Sequence, residues 1–172
     1  MNPMEKIRLR PLGPGDTEMI GLVAEWYNEE WNLPLQKTRE NLLSVCTGES
    51  QFQAVLTVGG RPVATGGVYH HVGLCDRVPR FRQYRHWLAM MYTVPMFRKK
   101  GYGAHLCRYL QDLSAEKGIG SLYLFTDSAE HLYTRLGWDV MERLETGGRN
   151  LAVMHLALTG KPLSCQQIHE TS

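Results

Sequence analysis

The stretch MYTVPMFRKKGYGAHLCRYLQDLSAEKG, Met91–Gly118, decides how this chain is read. β-prone residues run up to Val94 and stop at Pro95. Arg98, Lys99 and Lys100 follow, then Gly101 and Gly103 flank Tyr102, and a long amphipathic run takes over. The order predicts a strand, a tight loop and a helix that reaches about Lys117 and stops at Gly118. A glycine-rich loop before a helix presents backbone N–H groups where orphan donors and the helix dipole both favour an anion. Glycine also lets the backbone approach a bulky phosphate closely. With its cations at the mouth, the stretch reads as a phosphate cradle.

Two common phosphate fingerprints are excluded. Leu106 stands where the dinucleotide pattern GxGxxG needs its third glycine, and no Gly-Lys-Ser/Thr occurs. What remains is R-x-x-G-x-G, Arg98 to Gly103, four residues after Val94-Pro95-ended strand residues.

Working outward, Ile7 and Leu9 mark a short first strand, broken by Pro11, Gly13, Pro14 and Gly15. Asp16 is a candidate N-cap for a helix carrying Met19, Ile20, Leu22, Val23, Trp26 and Tyr27, which Asn32 and Pro34 end. Thr38 is a second N-cap candidate, for a short helix with Leu42, Leu43 and Val45. Strands Phe52–Val58 and Pro62–His70 are joined by Gly59-Gly60, a strong hairpin signal. Residues 73–86 form a long connection holding Arg77, Arg80, Arg82 and Arg85, and a fourth strand spans Trp87 to Val94. After the long helix come a strand Ser121–Thr126, a short helix ending at Gly137, and two strands separated by ETGGRN. The class is α+β, one mixed sheet with helices around it.

Length and composition fit that picture. A chain of 172 residues, 43% apolar and 21% charged, suits one soluble domain that buries roughly two-thirds of its unfolded surface. We expect that domain over 1–159 and a polar tail over 160–172. A net charge of +2 argues against a nucleic-acid binder, although basic residues are concentrated around 77–85 and 98–100. No apolar run approaches a membrane span or a secretory signal, so a cytoplasmic location and no membrane partner are expected. Cys46, Cys75, Cys107 and Cys165 lie far apart without a CxxC pair, and His70 and His71 are the only adjacent histidines. Reduced thiols and no metal site follow.

The 91–118 stretch resembles the acetyl-CoA-binding motif of the GNAT superfamily of N-acetyltransferases, Val-x-Pro-x-x-Arg-x-x-Gly-x-Gly/Ala, matched by Val94, Pro95, Arg98, Gly101 and Gly103. A second signature, Tyr-x-x-x-Gly-Phe, is matched by Tyr133 and Gly137 with Trp138 in the last place. The element order agrees from about Ile7 to Leu158. The resemblance implies a mostly antiparallel sheet of six to seven strands, flanked by about four helices and splayed between strands four and five. It implies acetyl-CoA as co-substrate, with pantetheine along Tyr92, Thr93 and Val94. Pyrophosphate then accepts from the backbone across Arg98, Lys99, Lys100, Gly101, Tyr102, Gly103 and Ala104. Family members often carry an asparagine seven residues before the tyrosine. Thr126 holds that place here and is taken as a cofactor contact.

Acetyl transfer needs a neutral amine, stabilisation of the developing charge on the carbonyl oxygen, and a proton for the departing thiolate. The resemblance assigns Tyr133 as general acid and strand-four backbone N–H groups to the carbonyl. On spacing alone, Tyr133 with Ala129, Leu132 and Leu136 is equally a core residue of a short helix. No carboxylate lies in Trp87–Val94, so the base stays open among Glu29, Glu30, His70, His71, His86 and a water chain. Glu30, Trp31 and Arg82 are candidate acceptor contacts, Trp31 being the aromatic expected to be partly exposed. The arginines at 77–85 favour an acidic acceptor, such as a peptide N-terminus or an amino-acid derivative. The expected partner is a small-molecule or peptide amine, and a free strand edge offers a route to a homodimer. The alternative is a non-catalytic acyl-CoA-binding or sensing module.

Overall fold

A computed structural model of the chain describes residues 5–158. The tail expected over 160–172, with Cys165, lies outside the described residues. Seven strands form one sheet in the order β1-β2-β3-β4-β5-β7-β6: β1 Ile7–Pro11, β2 Phe52–Val58, β3 Arg61–Tyr69, β4 Trp87–Thr93, β5 Ser121–Thr126, β6 Asp139–Thr146 and β7 Arg149–Ala157. Pairing is antiparallel in β1–β2, β2–β3, β5–β7 and β6–β7, and parallel between β4 and β5, where the described register is the single pair Trp87 with Tyr123. The mixed α+β class and mostly antiparallel sheet are as expected.

The helices are α1 Thr17–Trp31, α2 Leu35–Cys46, α3 Gly73–Arg77, α4 Tyr102–Glu116 and α5 Glu130–Arg135, with 3-10 turns at Pro79–Gln83 and Pro95–Phe97. The connection over 73–86 therefore holds two short helical pieces. Gly59 and Gly60 both take positive φ, +57° and +83°, and close the β2–β3 hairpin as the sequence predicts. Asn32 ends α1 in the left-handed conformation, its N–H on the Asn28 carbonyl.

Of the two cap expectations, one is corrected. Asp16 is the N-cap residue of α1 as expected, its carbonyl taking the Ile20 N–H at 2.9 Å, but its carboxylate makes no side-chain cap hydrogen bond. It accepts instead from the Gly13 N–H at 2.8 Å and pairs with Arg10 at 3.0 Å, which holds it below the usual carboxylate range. Thr38 does not start α2. Pro34 is the N-cap residue, and Thr38 lies inside the helix, buried, with its N–H on the Pro34 carbonyl. The proline read as a breaker after α1 serves equally as the start of α2, because it needs no N–H partner there.

The described residues divide into two compact units, each of two segments: 5–69 with 89–110, and 70–88 with 111–158. The first has a core of Leu12, Ile20, Val23, Ala24, Trp26, Tyr27, Leu42, Val55 and Tyr92, where the apolar stripe of α1 meets β2 and β4. In the second, Leu74, Cys75, Phe81, Trp87, Leu151 and Val153 cluster, so the 73–83 pieces exist because their apolar residues are buried. No helix among the described residues is long and apolar enough to cross a membrane.

Candidate active site

In the first unit the Val94 N–H still donates to the Val63 carbonyl of β3 at 2.9 Å, and Pro95 then turns the chain out of the sheet. Lys99 and Gly101 both lie in the left-handed region, φ +63° and +86°, on either side of Lys100. α4 starts at Tyr102, and its first helical bond runs from the His105 N–H to the Gly101 carbonyl at 3.2 Å. The N–H groups of Tyr102, Gly103 and Ala104 precede that bond and so belong to the open end of the helix. Lys99, Lys100 and Gly101 are exposed, while Tyr102 is buried beside the Phe97 ring. A basic, strongly bent loop thus ends on a helix N-terminus.

Arg98 does not add its charge to the mouth of this loop. Its backbone N–H goes to the Pro95 carbonyl at 3.2 Å. Its side chain turns back: Nε donates to the Thr93 carbonyl at 2.8 Å, Nη2 to Glu30 at 2.9 Å, and the guanidinium lies 5.5 Å from the Tyr92 ring centroid. Arg98 is a brace between the end of β4 and α1. Trp31 is 43% exposed and packs its ring on Tyr27 and Tyr92, at 5.1 and 6.3 Å between centroids. Trp26 and Tyr27 are core residues.

Upstream in β4, Met90 has φ +61°, a left-handed conformation in a strand residue that is not glycine. Its carbonyl accepts from the Tyr27 hydroxyl at 2.6 Å. Tyr27 in turn accepts from Gln53 Nε2 at 2.8 Å, and the same amide donates to Thr65 Oγ1 at 2.8 Å. Thr65 donates to the Ala54 carbonyl, and Gln53 Oε1 accepts from the Tyr69 hydroxyl. Burial pushes the Tyr27 hydroxyl pKa far above that of a free tyrosine, so it stays a proton donor.

In the second unit Tyr133 is buried on α5, its ring edge-on to Trp138, whose indole donates to Gln111 at 2.9 Å. The Thr126 hydroxyl accepts from the Ser128 and Ala129 N–H groups at 3.3 and 3.0 Å and so shapes the entry to α5. Arg80 grips Glu142 with both nitrogens, and Arg82 lies 3.7 Å from Asp76. Two of the four arginines are thus engaged with the chain's own carboxylates. An open cleft of about 470 Å³ is lined by Thr126, Asp127, Glu130, Arg143 and residues of β6 and β7. Of its carboxylates, Asp127 holds Arg149 and Glu130 holds Arg143. His70 and His86 stack edge to face at 5.3 Å, and burial lowers both pKa values, His86 also feeling His70 and Arg85. The buried His86 Nε2 has no hydrogen-bond partner among the described residues.

Residues 18–138 match the family model described as Acetyltransferase (GNAT) family. The chain belongs to that family. Among solved structures, the GNAT acetyltransferase from Streptococcus pneumoniae aligns with TM-score 0.68 at 15% identity, covering 89% of this chain and 99% of that one. An aminoglycoside 6'-N-acetyltransferase complexed with coenzyme A aligns with TM-score 0.68 at 14% identity, over 88% and 97%. A spermidine N-acetyltransferase chimera from Vibrio cholerae and hSSAT aligns with TM-score 0.65 at 15% identity, over 90% and 96%. No curated protein is significantly similar in sequence.

For a GNAT acetyltransferase, the expected residues fall into local groups. Glu30, Trp31, Tyr92, Thr93 and Arg98 are brought together, while Arg82, Thr126 and Tyr133 belong to the second unit. Among the base candidates, Glu30 is held by Arg98, and His71 pairs with Asp76 at 3.0 Å. Two features escaped sequence reasoning. Nothing in the identity of Lys99 or Met90 signals positive φ. The Tyr27 network did leave one readable trace: Gln53, the amide in the mostly apolar run FQAVLTV.

Proposed function

We propose that this acetyltransferase moves the acetyl group of acetyl-CoA directly to a primary amine of a small molecule or peptide, in a ternary complex. The observation that carries the reading is the exposed basic loop, bent at Lys99 and Gly101, that leads directly into the open N-terminal end of α4. A pyrophosphate fits such a site, accepting from the backbone over Lys99–Ala104 with Lys99 and Lys100 beside it. Arg98 serves by bracing the loop. The backbone of Tyr92, Thr93 and Val94 holds the pantetheine arm, and Thr126 is a further cofactor contact.

In the reaction the neutral amine nitrogen attacks the thioester carbon, and charge develops on the carbonyl oxygen. A β4 backbone N–H stabilises that charge. The C–S bond then breaks, Tyr133 gives its proton to the leaving thiolate, and the amine proton passes to a base or water chain. The products are an amide and free CoA, and Tyr133 recovers its proton from solvent. Trp31, standing exposed beside Glu29 and Glu30, contacts the acceptor. Arg82, on its surface turn beside Asp76, would contact the acceptor only if that acceptor is acidic. The aminoglycoside and spermidine enzymes of the same fold favour a small cationic amine for the acceptor, and the engagement of Arg80 and Arg82 with chain carboxylates weakens the case for an acidic one.

The test is release of CoA thiol with a panel of polyamines, aminoglycosides and short peptides, run on the wild type and Tyr133→Phe. The reading expects turnover with at least one amine and loss of kcat in Tyr133→Phe with acetyl-CoA affinity retained. A wild type that binds acetyl-CoA but turns over none of the panel would favour a sensing module. A fully active Tyr133→Phe would remove the general-acid role.

A further inference from the structure

The hydrogen bonds behind β4 have one consistent polarity. The carbonyls of Met90 and Ala54 can only accept, so the Tyr27 and Thr65 hydroxyls must donate to them. Both hydroxyl oxygens then accept from Gln53 Nε2, which fixes the amide so that Oε1 faces the Tyr69 hydroxyl. Tyr27, Gln53 and Thr65 are fully buried. The network spans α1, β2 and β3 and ends on the carbonyl of the one β4 residue with left-handed φ. In a trans peptide the N–H points opposite to the carbonyl. Holding the Met90 carbonyl toward α1 therefore sends the Met91 N–H to the other side of β4.

We propose that Tyr27 is a positioning residue for acetyl transfer: through the Met90 carbonyl it aims the Met91 N–H at the thioester carbonyl oxygen. This rests on the function proposed above. Tyr27 touches neither substrate. It acts by preventing the 90–91 peptide from relaxing to regular strand geometry, which would turn its donor away from the developing charge. Gln53 and Tyr69 act one and two steps behind it, by keeping the Tyr27 hydroxyl oriented and polarised. A network that served stability alone would be equally well placed behind a regular strand. Here it ends at the strained residue.

The experiment uses the full chain, as wild type, Tyr27→Phe and Tyr69→Phe. The carbonyl band of acetyl-CoA labelled with ¹³C at the thioester is recorded by infrared difference spectroscopy on each bound protein. Amide exchange of Met91 is measured on the free proteins. Wild type is expected to lower the band relative to free acetyl-CoA. Tyr27→Phe should return it toward the solution position and exchange Met91 faster. Its kcat should fall by about tenfold or more, with acetyl-CoA affinity within about threefold of wild type. Tyr69→Phe should shift the band the same way by less, and it carries the test alone if Tyr27→Phe fails to fold. An unmoved band in a folded Tyr27→Phe that binds acetyl-CoA overturns the proposal, as does equal loss of affinity and kcat. Failure of the wild type to bind acetyl-CoA overturns the parent function. The Met91 exchange then still reads separately whether Tyr27 holds the 90–91 peptide.

Discussion

Replacing Gly101 with alanine separates loop geometry from packing. Gly101 has φ +86°, and a Cβ built on it meets nothing within 4 Å. The substitution therefore costs no steric clash, only the left-handed conformation itself, about 1–2 kcal/mol for an L side chain. For a protein of this size that corresponds to a melting temperature lower by roughly 2–8 °C. If the loop relaxes instead, the free protein escapes the cost and the cofactor must restore the bend on binding. Acetyl-CoA affinity then falls by up to the same energy, roughly 5- to 30-fold. Gly103 is the internal comparison. It lies in the first turn of α4 without positive φ, its nearest Cβ neighbour is Thr93 Oγ1 at 4.0 Å, and the family pattern accepts alanine there. Gly103→Ala should bind normally and melt at the same temperature or slightly higher. Melting by calorimetry and titration with CoA provide both readings. Gly101→Ala with unchanged stability and unchanged affinity would refute the claim that the bend at Gly101 makes the site.

Two further outcomes follow from packing and charge. In Gly67→Ala the new Cβ would lie 2.6 Å from the Phe52 carbonyl oxygen and 2.6 Å from Gln53 Oε1, and backbone cannot yield as a flexible side chain can. We expect a loss of about 1–3 kcal/mol in denaturant unfolding, whereas a change within about 0.5 kcal/mol would mean the strand pair tolerates the methyl. The lowered pKa values of His70 and His86 mean the folded protein binds fewer protons than the unfolded chain below their usual 6.5. Their contribution is therefore present above about pH 6.5 and lost as pH falls through the lowered folded values. The carboxylates of Asp16, Asp127, Glu130 and Glu142 are held low by Arg10, Arg149, Arg143 and Arg80, and add a second loss below about pH 4.5. Melting temperature against pH should show both steps, with His86→Gln shrinking only the upper one.

What the sequence made legible is what depends on local chemistry. The Gly59-Gly60 hairpin, the Pro95 break and the Gly118 stop follow from backbone preferences of the residues themselves. So does the strand–loop–helix order at 91–118, which carries the candidate site. What stayed hidden depends on partners far along the chain. Arg98 looked like a free cation because Glu30, 68 positions earlier, gives no local sign of its orientation. Met90 looked like an ordinary strand residue because the hydroxyl on its carbonyl lies 63 positions away. Thr38 was misread for a subtler reason: proline can either end or start a helix, and only packing of α2 decides.

The central claim is that the loop at Lys99–Ala104 binds the pyrophosphate of acetyl-CoA. Its most direct measurement is calorimetric titration of the protein with acetyl-CoA, with ATP and NAD in parallel. Saturable one-to-one binding of acetyl-CoA, without comparable binding of ATP or NAD, is the predicted result. No acetyl-CoA binding by folded protein would contradict it, leaving a family fold whose basic loop has another use.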